Sequence, residues 1–313
     1  MKRFIEALKL MPLKPIIWGA LYQIFRIPKL LLWKTLALPS QVLGSDIPKV
    51  IHQTYWSSNL PPLIEENIRQ LRALNPDWEY RFYDDAGCER FIEKHYGKTI
   101  LGVWRRIGSG YGACRADLFR YLVMYKFGGV YFDVKSGGTF PLSGLLGDAD
   151  PFLLARWPQS ESSGRPTRGA GHLEFYHDPE LFAKGEYIQW VLMARPGHPY
   201  MRTAIEMALT KLYFYSPFRD GIGKIGVLRT TGPIALTLAL KPILDSSLHR
   251  EVTDYERLGL YFSCYERRGH GTHETELKDH YLGSKGPIFD RWVGEWSTYN
   301  AIKWLVSRDR ASK

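Results

Sequence analysis

Residues 111–135 read YGACRADLFRYLVMYKFGGVYFDVK, and this run decides the fold. Residues 111–127 are predicted to form a helix that carries Asp117 and Arg120 three positions apart, on one face. Gly128 and Gly129 then let the chain turn sharply into a short apolar strand over 130–133, which ends on Asp133. A carboxylate at the end of a strand sits at the rim of an α/β sheet, where ligands bind. Taken alone, Asp117 and Arg120 have a second reading, an i,i+3 ion pair on a solvated helix face. The diglycine and the strand-terminal acid just downstream favour a binding site.

Working outward, Lys49 to Thr54 is an apolar run too short for a helix and reads as a first buried strand. Pro61 and Pro62 open a helix to about Leu74. The turn Asn75-Pro76-Asp77 leads into a strand over 79–83. Asp84 or Asp85 caps a helix predicted to end near Gly97. Downstream come a strand over 187–194, a helix from about Pro199 to Tyr213, and another opened by Pro233 after Thr230-Thr231-Gly232. Strands alternating with helices indicate an α/β domain. Residues 158–171 are expected to form a polar, glycine-rich loop of the kind that serves as a lid or a disordered tip.

The net charge of +10 invites a nucleic-acid reading, but its distribution opposes one. Residues 1–45 hold Lys2, Arg3, Lys9, Lys14, Arg26, Lys29 and Lys34 against Glu6, so they supply +6 of it. No nucleic-acid partner is expected. The longest uncharged runs in that arm, 15–25 and 35–45, fall short of the roughly 20 apolar residues of a membrane span. Pro12, Pro15, Pro28 and Pro39 divide it into short helical pieces. Residues 1–45 are therefore expected to be a helical arm lying on an anionic membrane surface, with a helix pair packed on the domain as the alternative. Residues 46–313 are expected to be the globular domain. Three scattered cysteines and no Asn-x-Ser/Thr sequon suit a reducing compartment, hence the cytoplasmic face of a membrane. A Golgi enzyme with a type II anchor is the alternative.

The block from Asp117 and Arg120 through Gly128-Gly129 to Asp133 resembles the donor-binding core of the DXD-type sugar transferases, specifically glycosyltransferase family 32. The opening segment from Ile47 to Trp56, Arg195-Pro196-Gly197-His198-Pro199, Thr231-Gly232-Pro233 and the segment from His280 to Ser284 extend that resemblance over most of residues 47–285. It implies an α/β, GT-A-like nucleotide-sugar-binding fold with a mixed central sheet. It further implies a hexosyltransferase that moves sugar from a nucleotide-sugar donor to a glycan or glycolipid acceptor, with retention of configuration. Carried over, the donor-binding residues are His52, Gln53, Trp56, Asp117, Arg120, Tyr131, Asp133, His280 and Ser284. Asp133, Lys135, Asp117 and Arg120 are the catalytic candidates.

Family enzymes neutralise the departing diphosphate with Mn²⁺ or Mg²⁺, for which Asp133 is the ligand expected here. Lys135 stands where the family has its second acid, and Lys285 where it has a Trp. Three readings follow: a metal held by Asp133 with phosphates, water and Ser284; Lys135 itself as the cation; or a catalytically impaired nucleotide-sugar-binding protein. A membrane adaptor whose arm is the functional part is a further alternative. His270, His273, Glu274 and His280 lack a zinc-binding pattern.

Overall fold

The computed structural model describes residues 38–147, 149–158, 184–270, 284 and 286–289. The globular part belongs to one compact unit, Ser40–Lys313. Most of the N-terminal arm, most of the loop 158–171, His280 and Lys285 lie outside the described residues.

In chain order the elements are β1 (Val50–Thr54), α1 (Pro62–Leu74), β2 (Glu79–Tyr83), α2 (Asp85–Arg105), α3 (Gly112–Phe127), β3 (Gly129–Phe132), β4 (Gly137–Gly138), β5 (Phe152–Ala155), β6 (Val191–Ala194), α4 (Pro199–Tyr213), α5 (Pro217–Asp220), α6 (Gly223–Thr230), α7 (Pro233–Leu240), β7 (Arg250–Val252), β8 (Leu260–Tyr261) and α8 (Cys264–Arg267). Six strands form one sheet in the order β2-β1-β3-β6-β5-β7, and β4 pairs with β8 as a separate ribbon. The pairings β2/β1, β1/β3 and β5/β7 are parallel, and those of β6 with β3 and β5 antiparallel. The α/β class and mixed central sheet expected from the sequence are present.

β1 and β3 are buried along their whole length, as sheet strands covered on both faces must be. α3 shows the same logic in a helix: nearly every residue from Cys114 to Tyr125 is buried, so it carries almost no amphipathic stripe. It packs against the sheet, α2 and α4. The chain leaves β1 for β2 on one side and returns through α2 and α3 to β3 on the other. The C-terminal ends of β1 and β3 therefore flank a topological switch point, the crevice where open α/β sheets bind ligands.

Three boundaries differ from the sequence reading. The helix after Asp84, whose carboxylate accepts from the Gly87 amide at 2.6 Å, resumes beyond the kink at Gly97 and runs to Arg105. The strand expected over 187–194 is regular only from Val191, because the Gln189 carbonyl accepts from Arg120 (2.7 Å) instead of a strand neighbour. β3 closes at Phe132, although the Asp133 amide still donates to the Trp190 carbonyl at 2.8 Å. The stretch Gly223–Ser246 is long and apolar enough to cross a membrane by length and composition, yet over half of it is buried within the fold.

Candidate active site

Asp133 is the first residue past β3, at the switch-point rim. Its Oδ1 lies 2.8 Å from Arg120 Nη2 and 3.4 Å from the Tyr131 hydroxyl, and its Oδ2 lies 2.8 Å from Lys135 Nζ. Arg120 continues the chain inward: Nη2 is 3.1 Å from Asp117 Oδ1, and the guanidinium carbon sits 4.9 Å from the centre of the Tyr131 ring. Asp117 in turn accepts from Gln189 Nε2 (2.8 Å) on Oδ1 and from Thr231 Oγ (2.9 Å) on Oδ2. Carboxylate, guanidinium, carboxylate and ammonium thus alternate from the core to the rim, and their charges cancel.

The solvated-face reading of the helix pair is corrected here. Asp117 is 2% exposed and Arg120 4%, so the pair is a core element that holds Asp133 from beneath. Burial raises the Asp117 pKa to about 6 against the pull of Arg120. The loop after Asp133 is pinned just as firmly. Gln53 Nε2 donates to the Asp133 carbonyl (3.2 Å), and Asn67 Nδ2 donates to the carbonyls of Val134 (2.8 Å) and Ser136 (3.0 Å). The Cys264 amide donates to the Lys135 carbonyl at 2.7 Å.

Of the expected donor-binding residues, the structure brings Gln53, Asp117, Arg120, Tyr131 and Asp133 into this one network. Trp56, two residues past β1, stands 56% exposed at the same sheet rim with its ring 5.7 Å from that of Tyr55. His52 is not with them. It is fully buried, with Nε2 donating to the Gly128 carbonyl (3.1 Å), Nδ1 paired with the Tyr83 hydroxyl (3.2 Å), and its ring stacked on Phe127. That is a latch between β1 and the helix–strand turn, and burial, helped by Arg81, lowers its pKa to about 3. Ser284 Oγ donates to the Gly110 carbonyl (2.8 Å), before α3. Gln189, Thr231 and Asn67 also belong to the network; Thr231 stood in the sequence only within the Thr231-Gly232-Pro233 resemblance, and Gln189 and Asn67 carried no signal.

A divalent cation finds a poor donor set here. Asp133 is the carboxylate at the end of β3, and both of its oxygens already face cations. Asp117 is enclosed, and among the described residues no group of three or more His, Cys, Asp or Glu is placed to hold a metal.

Glu186, shortly before β6, is buried, and its Oε2 has no hydrogen-bond partner among the described residues. Burial lifts its pKa from 4.5 to about 8, against Trp157 and Lys224. In that window the folded chain keeps a proton the unfolded chain releases, so stability falls as pH rises. His52 and His198, lowered from 6.5 to about 3 and about 4 by burial, act in the opposite sense, their contribution being lost as pH falls through that range. Between about pH 6.5 and 8 Glu186 acts without them. Glu186→Gln should therefore remove a fall of up to about 1.4 kcal/mol per pH unit over that interval. Urea unfolding of both chains across it provides the check, and an unchanged slope refutes the assignment.

Residues 61–139, from α1 through β4, match the family model described as glycosyltransferase sugar-binding region containing DXD motif. This chain resembles the DXD-type glycosyltransferases. Asp133 and Lys135 fall inside the matched segment. Inositol phosphoceramide mannosyltransferase 3 of Schizosaccharomyces pombe is 33% identical over 103 residues, 33% of this chain and 28% of that protein. The initiation-specific alpha-1,6-mannosyltransferase of Candida albicans is 25% identical over 134 residues, 42% of this chain and 33% of that protein. The chain therefore spans about a third or less of these curated relatives. Among solved structures, the PaToxG glycosyltransferase aligns with a TM-score of 0.42 and 16% identity over 90% of this chain and 92% of that one.

Proposed function

We propose that this chain is a retaining glycosyltransferase of GT-A-like fold that moves a hexose from a nucleotide-sugar donor to a lipid-linked acceptor at a membrane surface. The observation that carries this reading is the coincidence of the matched segment with the switch-point crevice: the acid at the first DXD position is the one the fold holds at the rim. The relatives' names supply the finer choice, mannose as the sugar and a glycolipid or glycan as acceptor. The basic, apolar arm in the sequence supports a peripheral site on anionic lipid, where enzyme and lipid-anchored acceptor share one surface and a raised effective concentration.

In the reaction, the bond between the anomeric carbon and the β-phosphate oxygen breaks, and its electron pair stays on phosphate. The acceptor hydroxyl oxygen bonds that carbon from the same face, and its proton passes to the departing phosphate oxygen. No enzymatic base is required. The part of the protein is positioning and charge. Asp133, gripped by Arg120, accepts from a donor sugar hydroxyl, while the exposed ring of Trp56 supports the base at the neighbouring strand end.

The test is incubation of the purified full chain with GDP-mannose and a panel of other nucleotide sugars, with phosphoinositol-containing lipid in vesicles. Product formation from one donor, lost in Asp133→Ala, is the expected result. Donor binding without turnover would instead establish the impaired nucleotide-sugar-binding protein, a reading that the Asp133–Lys135 pair favours. The absence of both binding and turnover for every donor would sink the assignment.

A further inference from the structure

On the reading that the site takes a nucleoside-diphosphate donor, we propose that the Lys135 ammonium is the resident counter-cation for the diphosphate, and that the site binds nucleoside diphosphate without a divalent metal. The charge arithmetic is direct. A pair of acids with a divalent ion between them sums to zero; Asp133 with Lys135 also sums to zero. Exchanging the second acid for lysine changes the local charge by two units, the amount the ion would have supplied.

Geometry supports the exchange. Lys135 Nζ is 2.8 Å from Asp133 Oδ2, on the carboxylate edge left open by Arg120. An ion bound to that oxygen would share it with an ammonium, where like charges repel and small cations demand an undisturbed shell of oxygens. Nor is Lys135 a wandering surface side chain. Its Nζ sits 4.5 Å from the centre of the Phe262 ring, and its side chain is 13% exposed, enough to meet solvent at the rim. Ser136 Oγ donates to the Phe262 carbonyl at 2.7 Å, so the loop bearing the ammonium and the ring beneath it are tied together. An ammonium carries three donors, of which Asp133 takes one, and phosphate oxygens suit the rest as contacts to a point charge.

The experiment is calorimetric titration of GDP and UDP into the full chain, with EDTA and separately with Mn²⁺. The proposal expects the preferred nucleotide to bind in EDTA within about threefold of its affinity in Mn²⁺. Lys135→Ala should weaken that binding about tenfold or more, and Lys135→Arg should restore most of it. Lys135→Asp should create what the natural chain lacks: Mn²⁺ bound in the presence of nucleotide, read directly by electron paramagnetic resonance, and nucleotide binding that EDTA abolishes. Thermal melts of each variant separate lost binding from lost folding. Tight binding by the natural chain only with Mn²⁺ overturns the metal-free inference and leaves the transferase reading standing. Nucleotide binding under neither condition overturns both.

Discussion

Arg120→Ala is expected to abolish transfer and to destabilise the fold in one step, because a single guanidinium serves two carboxylates. Arg120 Nη2 lies 2.8 Å from Asp133 and 3.1 Å from Asp117, while Nη1 donates to the Gln189 carbonyl at 2.7 Å. With Asp117 2% exposed, removing the cation leaves a buried carboxylate without its counter-charge. Breaking a buried pair in this way costs about 3–5 kcal/mol, a large fraction of the net stability of a typical domain. Asp133 simultaneously loses the ionic partner of its Oδ1. A displacement of about 1 Å at the reacting centre is enough to cost about a hundredfold in rate.

The two effects can be separated. Most of the stability loss comes from the stranded acid, so Arg120→Met combined with Asp117→Asn should recover well over half of it, by replacing the ion pair with neutral groups of similar size. Transfer should not return in that double variant, since the carboxylate of Asp133 still lacks the guanidinium that orients its Oδ1. Arg120→Lys keeps the charge but not the planar fork that spans two partners, and should fall between. Denaturant melts and transfer kinetics on the four chains decide the matter. Normal turnover in Arg120→Ala, or recovery of turnover with stability in the double variant, would refute the positioning role.

How much of this was legible follows from what kind of information each residue carries. Proline at the first helical turn announced α1, α4 and α7, and the turn at Asn75-Pro76-Asp77 announced β2; both signals act locally and survive folding. β5 and β7 are four and three residues long, too short to show any period, and only their partners make them strands. At the site, Asp117, Arg120 and Asp133 were readable because helix face and strand end are local properties. Gln189 and Thr231 were not, since they reach Asp117 from 72 and 114 residues away. The misassignment of His52 has a simple cause. Successive side chains on a strand point to opposite faces, so when Gln53 reaches the Asp133 carbonyl, His52 must face the other way, toward Phe127. A motif names both residues and does not say which one faces the ligand.

The turn that delivers Asp133 to the rim is as exacting as the charges that hold it there, and Gly129→Ala should show this most sharply. Gly129 has φ +89°, a left-handed conformation that costs a residue with a side chain about 1–3 kcal/mol. Its added Cβ would also lie 2.5 Å from both the carbonyl oxygen and a methyl group of Val50 in β1, the strand paired to β3. Backbone at that distance cannot swing aside as a side-chain tip can, so the parallel pairing must open. Overpacking of this kind adds about 1–3 kcal/mol, and the two terms together reach about 2–6 kcal/mol. Gly128→Ala meets the same obstacle from β6, with Pro196 N at 2.5 Å and the Ala194 carbonyl oxygen at 2.7 Å. The control is Gly102→Ala, in the second half of α2, where an added Cβ meets nothing within 4 Å. There the same chemical change should stabilise the chain by up to about 1 kcal/mol, because alanine favours the helix and restricts the unfolded state. Equal melting temperatures for Gly129→Ala and Gly102→Ala would show that the turn tolerates a side chain and that the approach of β3 to β1 is looser than these distances require.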